Sequence, residues 1–307
     1  MSRLVTIDSQ YVAPQLAAAY LREENGEVAF IETNTTHAAP LLLKALSDAG
    51  LSTDAVKFII VTHVHLDHAG GTGALLKHCP NATVLAHPRA ARHLIDPSRL
   101  VASARQVYGA EAFDALYGVI EPIDAKRVKA LEDGSVETLG GAKLHFIHTR
   151  GHANHHFVIH DEAQNAVFTG DTFGLVYPAL QAQGRFAFPS TSPTDFDGPA
   201  AIESVKRVMA MKPKAVALTH FGLFEDVEVI GAQLIEWLEF SQKLFEEGKK
   251  SGDEQGTLEQ AFRWKLENEL LKRLHFKPTA DQQKLINFDL ELNSQGLAFA
   301  AVKARGS

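Results

Sequence analysis

Residues Val61 to Gly71 read VTHVHLDHAGG and crowd His63, His65, Asp67 and His68 into one short stretch. An imidazole is costly to bury unless both ring nitrogens find partners, and a close cluster repels itself once protonated. A divalent cation removes both difficulties, because it takes neutral imidazole nitrogen and ionised carboxylate directly. In an extended segment alternate residues face one side, so His63 and His65 can converge on one ion. A turn with helix initiation after Leu66 would present Asp67 and His68 to another. Gly70 and Gly71 leave room where the backbone passes close by.

Three more residues of ligand type stand in similar settings: His152 in TRGHANHH, Asp171 in FTGDTFG and His220 in LTHFG. Each follows an apolar, β-rich run and sits at a turn, where a rigid scaffold can aim a side chain. Together these residues suit two cations. His63, His65 and His152 would take the first, Asp67, His68 and His220 the second, with Asp171 between them. Each ion keeps a position for a shared water or hydroxide.

The elements that must position these groups alternate in type. EVAFIET, KFIIVTH, ATVLAH, AKLHFIHT, HFVIHD, NAVFTGD and KAVALTH read as strands. HAAPLLLKALSDAGL and GPAAIESVKRVMAMK have helical spacing, and Asp96 to Leu131 reads as mainly helical with a turn near Pro122. A loop is expected from Phe173 to about Asp197. This order predicts a layered α/β domain over 1–224. From 225 to 307 the period is helical throughout, which predicts an extension used for packing, as a lid or in dimerisation.

Composition narrows the partners. The chain has 307 residues, a formal charge of −7 and no long basic run, so nucleic acid is a poor partner. Its single cysteine, Cys79, excludes an internal disulfide framework and reads as a small core residue. No apolar run has the length of a membrane span, and the first residues lack the pattern of a secretory signal. The expected setting is the cytoplasm.

The motifs THVHLDHAGG, RGHANHH, FTGD and LTHFG occur in the order found in the metallo-β-lactamase superfamily, which residues 1–224 resemble. DPSRL and PTDFDGPAAIESV also have counterparts in its broad bacterial hydrolase-type group. The resemblance implies an αββα sandwich with a dinuclear site at one edge. Two divalent cations are implied, zinc first, with iron or manganese as alternatives. Departures are informative. The usual aspartate after the second strand is Glu32 here, at a position that normally supports a ligand. The common PGH is RGH, with Arg150. Lactonase-type members carry tyrosine where this chain has Gly174. Flavodiiron members replace the second histidine, whereas His65 is retained. Persulfide dioxygenases share a GTG like Gly71-Thr72-Gly73 but lack a counterpart of His220. Glyoxalase-II-like thioesterases match the ligand set, without evident glutathione-binding basic residues here.

The expected activity is hydrolysis, with a metal-bridging hydroxide attacking an ester, thioester, lactone or amide carbonyl of a small molecule. Asp67 would act as ligand, orienter and proton carrier. An iron oxygenase, a phosphodiesterase and a non-catalytic metal-binding protein are the alternatives. Phe173, Tyr177, Phe186, Phe188 and Phe221 could wall a substrate pocket or simply seat their loops. Arg185 could pair with an anionic substrate group. His156 could support a ligand, while His87, His145, His148, His155 and His160 read as strand or surface residues. A homodimer through the C-terminal helices is a further expectation.

Overall fold

The computed structural model describes residues 1–191 and 195–306, so part of the expected loop before Asp197 lies outside the described residues. Two six-stranded sheets organise the chain. The first begins with an antiparallel meander of β1 (Ser2–Asp8), β2 (Ala18–Glu24) and β3 (Glu27–Ile31). It continues in parallel through β4 (Val56–Ile60), β5 (Thr83–Ala86) and β6 (Val128–Ala130). Parallel neighbours need crossovers, and helices supply them. They are α1 (Ala39–Asp48), α2 (Leu66–Ala69), α3 (Thr72–Leu76), α4 (Pro88–Ile95), α5 (Ser98–Tyr108) and α6 (Ala110–Tyr117).

The second sheet runs in sequence order: β7 (Val136–Leu139), β8 (Ala142–Thr149), β9 (His156–Asp161), β10 (Ala166–Leu175), β11 (Ala215–His220) and β12 (Gly222–Phe224). The period of two along each strand separates two cores. Tyr20, Ile31, Phe58 and Ile60 of the first sheet meet Phe146, Phe157, Ile159 and Phe168 of the second in one cluster. Aromatic edges interlock there, with Tyr20 and Phe168 centred 5.3 Å apart and Phe146 and Phe157 5.1 Å apart. On the other face of the first sheet, Val28, Phe30, Ile59 and Val84 pack with Leu42, Leu46, Leu75 and Ala90 of the helices. Cys79 is wholly buried in this layer, as expected, and burial pushes its thiol up to about 11.

The chain divides into two compact units. One comprises Met1–His148, His155–Gly170 and Lys214–Glu225, and holds most of both sheets. The other comprises Thr149–Asn154, Asp171–Pro213 and Asp226–Ser307. It contains α7 (Gly198–Ala210), α8 (Val227–Ser251), α9 (Gln255–Leu274) and α10 (Ala280–Lys303). A stripe of Leu258, Phe262, Leu266, Leu270 and Leu274 at four-residue intervals gives α9 its buried face. A reciprocal cap between Thr279 and Gln282 starts α10.

The helical reading of 96–131 needs correction at its end, where β6 joins the edge of the first sheet. β10 continues beyond Asp171 to Leu175, whose backbone pairs with Phe188, so the expected loop begins later. The strands β1, β2, β7 and β12 carry no sequence signal of alternation strong enough to be recognised beforehand.

Candidate metal centre

Within the first unit the histidine-rich segment leaves the C-terminal end of β4 and enters α2, whose first residue is Leu66, one residue earlier than the expected start after Leu66. Gly71 permits this path. A Cβ there would lie 2.6 Å from the Thr35 carbonyl oxygen and 2.7 Å from that of Thr33. His63 is fully buried, and its Nδ1 lies 3.1 Å from the Thr62 hydroxyl oxygen. That hydroxyl donates to the Glu32 carboxylate. Its oxygen therefore accepts from Nδ1–H of His63, which leaves the His63 Nε2 lone pair facing Nδ1 of His65 at 2.9 Å. Two imidazole nitrogens so close require a shared proton or a cation.

The second grouping has clearer geometry. The donor atoms of Asp67, His68 and His220 all lie within 4.8 Å of one another. Asp67 Oδ2 is 3.6 Å from His68 Nε2 and 3.5 Å from His220 Nε2. Both separations exceed the usual N–H···O range of about 2.7–3.2 Å. They match the edge of a tetrahedron, about 3.3–3.4 Å, built on metal–donor distances of about 2.0–2.1 Å. His220 ends β11, and its Nδ1 donates to the Leu16 carbonyl at 2.9 Å. That bond assigns the tautomer and turns the Nε2 lone pair toward Asp67. The donor set thus fits a divalent cation in both chemistry and spacing.

Glu32 occupies the junction beneath this segment, buried and with a φ of +63°. Besides Thr62, its Oε1 lies 3.4 Å from His68 Nδ1 and 3.5 Å from the Thr219 hydroxyl. One carboxylate therefore braces the three segments that carry His63, His68 and His220. The shift from aspartate to glutamate keeps the supporting charge in place.

The second unit holds a matching pair. His152 Nδ1 donates to the Ser190 carbonyl at 3.2 Å, and its Nε2 lies 3.4 Å from Asp171 Oδ2. The Ser190 hydroxyl donates to the same Asp171 oxygen at 3.2 Å. Again a backbone carbonyl sets the tautomer, and again nitrogen and carboxylate face each other at ligand-edge spacing. Ser190 and the Leu16 carbonyl escaped the sequence reading. A backbone acceptor has no residue signature, and Ser190 belongs to no motif.

The remaining candidates divide. His156 is buried with its ring 4.9 Å from that of His63. His155, expected at the surface, instead lies parallel to His63 at 6.0 Å and edge-on to His65 at 5.5 Å. His87 and His148 have ring centres 4.1 Å apart, and burial holds His87 down to about 4, helped by His148, His155 and Arg89. His145 pairs with Glu162 at 2.6 Å. Phe173, Tyr177, Phe186 and Phe188 are all buried. Phe188 packs edge-on against Trp237 at 4.9 Å, and the Tyr177 hydroxyl donates to Asp289 at 3.3 Å. Phe221 packs against the core between the sheets. Arg185 pairs with Asp226 at 2.6 Å, so this guanidinium is engaged within its own unit.

Comparison with known proteins bears on the family and the fold. A protein from Sulfurisphaera tokodaii, "Metallo-beta-lactamase fold-containing protein ST1585", is 30% identical over 192 residues, 59% of this chain and 69% of the relative. The crystal structure of the archaeal superfamily protein ST1585 from Sulfolobus tokodaii superposes with a TM-score of 0.68 at 23% identity, covering 96% of this chain and 97% of that one. A hydroxyacylglutathione hydrolase from Aeromonas salmonicida is 29% identical over 131 residues, 43% of this chain and 37% of its own length. The family model of the metallo-beta-lactamase superfamily matches residues 14–220, a span that runs through every one of the seven candidate ligands. With paired sheets, flanking helices and histidine–aspartate groupings of this kind, the chain belongs to the metallo-beta-lactamase superfamily and has its αββα fold, extended by C-terminal helices.

Proposed function

We propose that the protein is a metal-dependent hydrolase acting on the ester, thioester, lactone or amide carbonyl of a small molecule. On this reading His63, His65 and His152 hold one divalent cation, Asp67, His68 and His220 hold a second, and Asp171 is shared. The observation that carries the reading is the Asp67–His68–His220 grouping, with donor atoms at ligand-edge spacing and the His220 tautomer fixed by the Leu16 carbonyl. Bound cations of this type supply Lewis acidity and a nucleophilic water deprotonated near neutral pH.

The protein's own part is positioning and proton handling. His68 is fully buried and His220 nearly so, whereas the Asp67 side chain is 25% exposed. Asp67 is therefore the member of its grouping that can both orient the nucleophilic water and pass a proton outward. Nitrogen and carboxylate donors in near-tetrahedral spacing favour zinc, with manganese and iron as the next candidates. The partial match to a hydroxyacylglutathione hydrolase supports starting from thioesters.

Residues 1–224 form the proposed catalytic domain and 225–307 its helical extension. Trp264 and Leu271, two turns apart on α9, are 66% and 43% exposed, which supports a homodimer through these helices; light scattering tests it. No helix among the described residues is long and apolar enough to cross a membrane.

Elemental analysis of protein purified without chelators, followed by an ester, thioester and lactone panel, tests the function. Two zinc or manganese ions per chain with metal-dependent turnover are expected. A single iron with oxygen consumption would overturn the hydrolase in favour of an oxygenase.

A further inference from the structure

Ser190 meets both proposed ligands of the second unit, its carbonyl accepting from His152 Nδ1 and its hydroxyl donating to Asp171 Oδ2, each at 3.2 Å. What holds Ser190 comes from α10, far along the chain. Asn293 brackets it. Its Oδ1 accepts from the Thr191 backbone N–H at 2.7 Å and from the Thr191 hydroxyl at 2.8 Å, and its Nδ2 donates to the Pro189 carbonyl at 2.9 Å. A backbone N–H can only donate and a backbone carbonyl only accept, so one orientation of the amide serves both. Just before this stretch, Phe188 exchanges backbone hydrogen bonds with Leu175 of β10 at 2.7 and 2.9 Å. Residues 189–191 are thus held by the sheet at one end and by Asn293 across their length. All of these residues belong to the second unit.

Asparagine is a costly choice for the buried face of a helix. Its helix propensity is below that of leucine, and its amide loses free energy on burial unless its polar atoms are paired. Ile286, Leu290 and Leu297 make the same face of α10 apolar, yet Asn293 is 4% exposed among them. We infer that Asn293 is a positioning residue of the proposed metal centre, acting through the backbone of Ser190 on His152 and Asp171. Holding Pro189 and Thr191 fixes the residue between them. That fixes the carbonyl that sets the His152 tautomer and the Cα from which the hydroxyl reaches Asp171. The inference rests on the ligand assignment proposed above, and it gives the C-terminal helices a part in the site itself.

Zinc affinity of the whole chain, measured by competition with a chromophoric chelator, tests this in two backgrounds. N293A is expected to weaken zinc binding about tenfold in the wild type, the lower end of the cost of losing a supporting partner. In H152A/D171A the remaining site is Asp67, His68 and His220, and there N293A should change affinity by less than about twofold. T191V removes a single hydroxyl bond and should show the same background dependence with a smaller loss, which keeps the cycle readable if N293A folds poorly. L290V is the stability control. It loosens the same helix face and should leave zinc affinity unchanged, with thermal melts reporting the folding of every variant. Equal weakening by N293A in both backgrounds overturns the inference, and so does an equal loss of affinity in L290V. Zinc binding that depends on His152 and Asp171 but not on Asn293 or Thr191 removes the clamp and leaves the metal reading. A wild type that binds no zinc removes both. Zinc binding coupled to Asn293 in this way, without turnover of any ester, thioester or lactone, retains the clamp and removes the hydrolase.

Discussion

Glu32 is the residue on which the proposed metal centre would depend without supplying a ligand. Its carboxylate accepts from Thr62, lies 3.4 Å from His68 Nδ1 and reaches Thr219 next to His220. Removing its charge should loosen the imidazole orientations without emptying any packing volume. E32Q is expected to fold with nearly unchanged thermal stability and to bind zinc about 10–100-fold more weakly, the usual cost of losing a supporting partner. E32D keeps the charge and should recover much of that loss. Competition with a chromophoric chelator measures all three proteins. Equal affinity in E32Q and wild type would show that the carboxylate does not organise the ligands.

At the scale of elements, the ends of β4 and β11 and the middle of β10 are the points where the proposed chemistry meets scaffold, and Gly170 within β10 is tightly packed. It takes a φ of +50°, and a Cβ there would stand 2.5 Å from both His156 Nε2 and the Thr62 hydroxyl. Gly26 is a control, with a φ of +86° and open space where its Cβ would lie. G26A should therefore cost only backbone strain, about 1 kcal/mol. G170A adds overpacking and should cost about 2–4 kcal/mol in urea denaturation. Because it displaces Thr62, and through Thr62 the tautomer of His63, it should also lower metal affinity, which G26A should not. Comparable destabilisation and intact metal binding in the two variants would detach β10 from the role assigned to it.

For the molecule as a whole, the proposed ligands are more legible than the scaffold around them. His63 to His68 are contiguous, and His152, Asp171 and His220 each follow an apolar run, so residue type and local pattern suffice to propose them. β2 was hidden because Arg22 and Glu23 are buried among its apolar residues. Arg22 is tolerated there through its 2.5 Å pairs with Glu24 and with Asp161, the latter a residue far along the chain. The Leu16 carbonyl that fixes His220 lies 204 positions from it, beyond any local pattern. His87 belongs to the same hidden class, and it gives the molecule a pH dependence. Burial first, and then His148, His155 and Arg89, lower its pKa from 6.5 to about 4. Its Nδ1 also accepts from the Arg89 N–H at the start of α4 at 3.0 Å, a bond that protonation would remove. The folded pKa is depressed, so the unfolded chain takes up the proton first. The stability His87 provides is complete above about 6.5 and is lost as pH falls toward about 4. H87N can still cap α4 but cannot titrate. Between pH 7 and pH 4 it should lose about 1–3 kcal/mol less stability than the wild type in denaturant titrations. Protonation of the metal-site histidines contributes to both proteins and cancels in that difference. Parallel losses in the two would place the acid sensitivity of the fold elsewhere.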